Sequence, residues 1–360
     1  MRTLAALFIF AVLTLAARAL PKEPWLKAGD VVALVGGEDM VALAEEGWLE
    51  TLVTWAQPRD RIRFRSLAWE GDTVFEQRRD LNYPTLETQL DRMGATVVIC
   101  QFGKMESFAG KEGVAAFTEA YEKLLARLSG EQEWRFVLDG KFDPNPRSSI
   151  IKVNRTEFVT RAWLGGITYE RDGPGGEKKR RIALVLPPRF GGPPEGANAH
   201  NLPNLTFHNA DLDFYREAGR TLAVRRGGLV LNAGAGPIAK DDTATYPTRD
   251  GIHLKPVWQF ALAVKLARGL CLGPADKAPL PDAGSLVEQG RAAIQAKNRL
   301  WFHYTRPQNW AFLAGNRTNQ PSSRDHLDPT KRWFPEEMEQ WLPLIAAKER
   351  EIQTLAAAPR

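Results

Sequence analysis

Val31-Val32-Ala33-Leu34-Val35-Gly36-Gly37-Glu38 runs five apolar residues into two glycines. An unbroken apolar run of that length, closed by a turn signal, reads as a strand buried on both faces, as in a parallel sheet. The same alternation of signals continues outward from it. Glu38 to Trp55 carries Met40, Leu43, Trp48, Leu49, Leu52 and Val53 at helical spacing, interrupted at Gly47. Arg61 to Trp69 alternates as a second strand and ends at Glu70-Gly71-Asp72, and Thr85 to Met93 is a short helix. Val97-Val98-Ile99-Cys100 is a third strand ending at Phe102-Gly103. It is followed by an amphipathic helix through Val114, Phe117, Tyr121, Leu124, Leu125 and Leu128. Ile182 to Leu186, Asp211 to Arg226, Leu229 to Leu231 and Pro256 to Leu270 complete the series, with Pro256 suited to a first helical turn. Five strand–helix units predict a doubly wound, three-layer α/β sandwich of flavodoxin-like type around a five-stranded parallel sheet.

The rhythm breaks from Trp134 to Arg181. Phe136-Val137-Leu138 and Phe158-Val159-Thr160 look like strands there, and Gly173-Pro174-Gly175-Gly176 looks like a hairpin turn. This stretch is an expected β insertion, about 142–180, in a main domain spanning 23–275. A Pro-rich linker from Gly273 to Ala283 leads to a helical extension over 284–356, with helices at Leu286–Phe302 and Phe334–Leu355 around a polar loop.

The 360 residues are 44% hydrophobic and 25% charged, which suffices for one large core and an appendage. Net charge is +5, but acids and bases are interleaved. The run Lys178-Lys179-Arg180-Arg181 follows a Gly/Pro-rich turn and reads as a solvated loop, so no nucleic-acid partner is expected. Arg2, the apolar run from Leu4 to Leu15 and Ala17-Arg18-Ala19 read as a signal peptide over 1–19, cleaved near Ala19, which places the protein outside the cell or in a periplasm. That run is shorter than the roughly 18 apolar residues a membrane span needs. No membrane span is expected after cleavage.

Gly36-Gly37-Glu38, Gly71, Gly103 and the pair Asp250/His253 all fall at strand ends or in the loops beyond them. In open α/β sheets those are the ligand-binding positions. Thr248-Arg249-Asp250-Gly251-Ile252-His253-Leu254 stands at the head of the last helical run. An acid and an imidazole three residues apart can share one face of a turn, the carboxylate holding one ring nitrogen and leaving the other as a base. The same spacing also fits a capped helix with a surface histidine. A metal site needs three or four convergent ligands, and only Glu38, Asp250, His253 and Glu106 are on offer. Neither a metal nor a cofactor is expected. His200 and His208 read as polar surface residues, and Cys100 as a buried thiol.

Taken together, these strand ends resemble the SGNH (GDSL-type) esterase/lipase family, over roughly Lys27 to Leu270. The family's first block reads Gly-Asp-Ser and supplies the nucleophile; Gly36-Gly37-Glu38 stands in its place, so Glu38 falls at the nucleophile position. Leu67 to Val74 matches the second block, which implies an oxyanion-hole role for the Gly71 amide. The third block, Gly-x-Asn-Asp, is Gly103-Lys104-Met105-Glu106 here, and Met105 replaces the asparagine donor. The fourth, Asp-x-x-His, is present as Asp250 and His253. The resemblance implies an esterase or acylhydrolase acting on small or carbohydrate esters, with His253 as base, Asp250 as its orienter, and Gly37, Trp69 and Glu106 beside the ligand. Two parts are replaced, however. A carboxylate at Glu38 opposes the developing oxyanion, and a thioether at Met105 donates no hydrogen bond. The alternative is a catalytically inactive SGNH-fold module that binds carbohydrate or acyl ligands. The tail from Lys297 to Asn309 resembles that of a secreted, planctomycete-type subgroup of the family. It is expected either to brace the sheet domain or to act as a lid bringing His303, Arg306 or Asn309 to the pocket.

Overall fold

The computed structural model describes residues 24–77, 79, 82–139, 149–153, 156–160, 167–174, 180–192, 203–233, 248–271 and 284–358, with backbone alone between 132 and 174. The expected signal peptide and His200 lie outside them. In chain order the core elements are β1 (Val31–Gly36), α1 (Glu38–Glu46), α2 (Trp48–Ala56), β2 (Arg63–Ser66), α3 (Leu86–Arg92), β3 (Val97–Gln101) and α4 (Val114–Ser129). Four further strands follow: β4 (Gln132–Asp139), β5 (Ser149–Val153), β6 (Thr156–Thr160) and β7 (Ile167–Pro174). Then come β8 (Arg181–Leu186), α5 (Asn209–Arg225), β9 (Leu229–Asn232) and α6 (Pro256–Leu270). The extension holds α7 (Leu286–Thr305), α8 (Trp310–Leu313), α9 (Trp333–Glu339) and α10 (Trp341–Ala357).

The central sheet has the order β2-β1-β3-β8-β9, with every neighbouring pair parallel. Counting core strands alone, that is 2-1-3-4-5, the flavodoxin-like order. Successive side chains of a strand point to opposite faces, and here both faces are covered. Val32 and Leu34 of β1 join a core with Met40, Leu52 and Leu266 from α1, α2 and α6. Ala33 and Val35 join the opposite core with Leu90, Phe117 and Tyr215 from α3, α4 and α5. The unbroken apolar run is therefore the signature of a strand with no solvent side. Gly36 ends β1 at φ +144°, and a Cβ there would lie 2.4 Å from the Gln101 carbonyl oxygen of β3. Only glycine permits that approach.

β4 pairs antiparallel with β7, and β5 with β6; neither pair joins the central sheet. The strands expected around Val137 and Val159 are present. Gly173 and Pro174, expected in a turn, instead end β7 opposite Glu133 and Gln132. Because β4 begins at Gln132, its antiparallel partner must run on to Pro174, and the β element starts ahead of residue 142.

The extension packs on the sheet domain. Val287, Ala293 and Ile294 of α7 and Ile352 and Ala356 of α10 form a cluster with Trp55 of α2. A Cβ on Gly290 would lie 1.9 Å from the Trp55 ring, so α7 meets α2 only because that residue has no side chain. Gly290→Ala is expected to cost about 1–3 kcal/mol through overpacking against a rigid ring. The measurement is the urea unfolding midpoint, and an unchanged midpoint would mean that α7 does not bear on Trp55 in solution. No helix of the described residues is long and apolar enough to cross a membrane.

Candidate functional site

β1 and β3 lie side by side while their following helices go to opposite faces, and a shallow, open cleft lies between their carboxyl ends. This is the topological switch point at which open α/β sheets take ligands. Gly37, Glu38, Asp72, Met105 and Glu106 line it, with Asp39, Gln101, Phe102 and Lys104. Glu38 is the first residue of α1, where a carboxylate is favoured by the helix dipole. Its Oε1 accepts the Gly71 N–H at 3.3 Å. The amide to which the sequence resemblance assigns the oxyanion is thus already engaged by an anionic oxygen. Gly71 sits at φ +80° in a turn fixed by Trp69 N–H donating to the Gly36 carbonyl at 2.9 Å.

Glu106 is buried and works as a staple. Its Oε1 accepts the Val74 N–H at 2.8 Å and its Oε2 the Gly103 N–H at 2.7 Å, joining the loop after β2 to the end of β3. Burial raises its pKa and the nearby Glu38 charge adds to the rise, while the amide donors oppose it. Both carboxylate oxygens are committed to protein amides, which leaves Glu106 a smaller role toward a ligand than expected.

Sequence reasoning missed the pair beneath. Lys104, 5% exposed, donates to Asp39 Oδ1 and Oδ2 at 3.1 and 3.0 Å and to the Ile252 carbonyl at 2.8 Å. Gln101 Nε2 donates to the same Asp39 carboxylate at 2.8 Å. Asp39 follows Glu38, and Ile252 precedes His253, so one ammonium ties the α1 entry to the histidine loop. The available signal was a lysine beside a strand-end glycine and an acid in the first turn of a helix, both of which also read as solvated.

Asp250 and His253 do meet, in the loop ahead of α6. An isolated bridge from Thr248 to Leu254 closes it before α6 begins at Pro256. Asp250 Oδ1 accepts the N–H groups of Ile252 and His253 at 3.1 and 2.8 Å, and Oδ2 lies 2.6 Å from His253 Nδ1. Gly251 at φ +92° lets the chain fold back in this way. Burial works to raise the Asp250 pKa, but the two amides and the imidazole outweigh it and hold the carboxyl below its usual range. The orienting carboxylate is therefore ionised wherever the imidazole would act as a base. No hydroxyl among the described residues shares a hydrogen bond with the His253 ring. Ser107 is buried and donates to the Lys104 carbonyl at 2.6 Å.

Trp69, expected beside a ligand, is occupied by the protein itself. Guanidiniums of Arg79 and Arg306 lie 4.2 and 4.1 Å from its ring centroid, and Tyr83 meets it edge-on at 6.0 Å. Of the three tail residues that the lid alternative would bring to the pocket, Arg306 comes to the Gly71 turn. His303 packs against Trp341 at 5.6 Å instead. His208 is no simple surface residue; its ring meets Phe108 edge-on at 4.6 Å. Among the described residues no group of three or more His, Cys, Asp or Glu side chains is arranged to hold a metal.

The class defined by fold and cleft is a flavodoxin-like α/β sandwich with its site at the β1/β3 switch point. No family model matches the chain, and no curated protein does. Among solved structures, an alpha/beta hydrolase from the metagenome of Lake Arreo, Spain, is similar over 69% of this chain and 99% of its own, at 14% identity and a TM-score of 0.42. A carbohydrate acetylesterase from Sinorhizobium meliloti is similar over 66% of this chain and 97% of its own, at 13% identity and a TM-score of 0.37. A gut microbial diltiazem-metabolizing enzyme matches 68% of this chain at 14% identity and a TM-score of 0.44, and this chain spans about half of it, 47%. These are likenesses of architecture at low identity.

Proposed function

We propose that this chain is a secreted, hydrolase-like protein of SGNH type, allied by its tail to the planctomycete-type subgroup. Its strand-end cleft receives small or carbohydrate esters and holds them without a serine acyl-enzyme. The observation that carries the second half is the Glu38 carboxylate on the Gly71 amide. A group that accepts that N–H in the resting protein competes with any substrate oxygen for it, and its negative charge opposes the oxyanion that attack on a carbonyl must develop. The Asp250–His253 geometry supports a pocket built on the hydrolase plan, with an oriented imidazole to which no hydroxyl among the described residues is hydrogen-bonded.

The test is a titration of isotopically labelled protein with methyl tetra-O-acetyl-glucopyranoside, following the Gly71 amide and the His253 ring by NMR. Saturable shifts at both, with the acetyl groups intact after hours, are the expected result. Steady deacetylation that stops in His253→Ala would overturn the binding reading in favour of an enzyme. An absence of shifts at saturating concentration would overturn the choice of ligand class.

A further inference from the structure

Arg306 belongs to a motif that the cleft chemistry does not use, yet it is the residue of the extension that reaches the turn carrying Gly71. It caps α7, and its guanidinium makes three contacts with one short stretch. One nitrogen donates to Glu70 Oε2 at 2.8 Å, another to the Ala68 carbonyl at 2.5 Å, and the plane lies 4.1 Å from the Trp69 ring centroid. Arg79 holds the other side of the same turn, with paired bonds to Asp72 at 2.8 and 2.7 Å. The arm beyond Arg306 is anchored as well. Tyr83 donates to the Thr305 carbonyl, its ring lies 4.7 Å from Trp310, and Asn82 Nδ2 donates to the Ala314 carbonyl at 2.8 Å. Residues 68 to 72 are thus held between two arginines, one from their own loop and one from a segment more than two hundred residues away.

We propose that the C-terminal arm is part of the candidate site, and that Arg306 is a positioning residue that sets the Gly71 amide toward Glu38. The physical reason is the planar fork of arginine. It satisfies a backbone carbonyl and a carboxylate at once while lying flat on an aromatic ring, and a lysine ammonium cannot combine these. Held at Ala68, Trp69 and Glu70, the turn has little freedom left at Gly71. Its N–H then points into the cleft without help from a ligand. The proposal rests on the reading of that cleft, but its test needs no ligand and no turnover.

The experiment is NMR on the full chain. In the wild-type background Glu38→Gln, which removes the carboxylate charge, is expected to move the Gly71 amide resonance. In Arg306→Ala that Glu38-dependent shift is expected to vanish and Gly71 amide exchange to quicken at least tenfold, while the His253 ring resonances stay where they were. Arg306→Lys should not restore the shift, and Arg324→Ala, elsewhere on the arm, should leave it intact. Should Arg306→Ala fail to fold, Glu70→Ala removes one of the three contacts from an exposed position, and a weakened shift is expected there too. An unchanged Glu38-dependent shift in Arg306→Ala, or in a folded Glu70→Ala, would overturn the proposal and leave Arg306 a brace. If the shift behaves as expected but no ester binds, the proposed function fails and the positioning role stands.

Discussion

The purified protein is expected to hydrolyse p-nitrophenyl acetate no faster than its own His253→Ala variant. An imidazole base serves acyl transfer only when it has a hydroxyl to deprotonate, and among the described residues none shares a hydrogen bond with it. Glu38, where the sequence resemblance would put the nucleophile, has its carboxylate on the Gly71 amide at 3.3 Å, where it occupies a donor and opposes the charge that acyl transfer must develop. Glu38→Ser frees that amide and supplies a hydroxyl, yet it should recover little alone. Met105 still lines the cleft without a hydrogen to donate, and one missing oxyanion donor typically costs about 10²–10³ in rate. Adding Met105→Asn should recover more than the two single changes together predict, because nucleophile and oxyanion hole act as a unit. Robust wild-type activity that vanishes in His253→Ala would overturn this account. Mass spectrometry of a trapped acyl-enzyme would then locate the nucleophile.

Lys297→Ala is expected to destabilise the protein by about 3–5 kcal/mol, among the largest losses available to a single substitution. The Lys297 side chain is fully buried, with Nζ 2.5 Å from Glu50 Oε1 and 3.1 Å from the Phe64 carbonyl. Burial pushes the Glu50 carboxyl pKa up and the Lys297 ammonium pKa down, each softened by the other's charge. Removing the ammonium leaves a carboxylate without its counter-charge, and Glu50 Oε2 already has no hydrogen-bond partner among the described residues. The double variant Lys297→Met with Glu50→Leu should regain most of the loss, since it removes both charges and keeps the volume. Urea midpoints at unchanged slope measure both. A loss below about 0.5 kcal/mol for Lys297→Ala, the range of ordinary surface changes, would refute the buried pairing. The pair is one of several ties from the extension to the sheet domain: Trp301 Nε1 donates to the Ser66 carbonyl and Asn298 to the Ala44 carbonyl, each at 2.7 Å.

The sequence by itself determined the sandwich. Apolar runs such as Val31–Val35 are local, and a strand buried on both faces needs nothing but apolar residues, so its signature survives in one dimension. Pro256 at a helix start and Gly47 between two helices were legible for the same reason: backbone geometry is set residue by residue. The Asp250–His253 contact was legible too, because its partners are three residues apart on a turn ahead of the last helix, which Gly251 lets fold back. Tertiary structure alone decided the rest. Glu38 meets Gly71 across 33 residues, Lys104 meets Ile252 across 148, and Arg306 meets Glu70 across 236. A polar side chain carries no periodic mark of its partner, and whether a lysine such as Lys104 is solvated or buried against a carboxylate depends on which loops the sheet brings to one end. The strand order placed Glu38, Met105 and Glu106 around one cleft, with Gly71 bonded to Glu38, and packing of α7 on Trp55 carried Arg306 to the Gly71 turn.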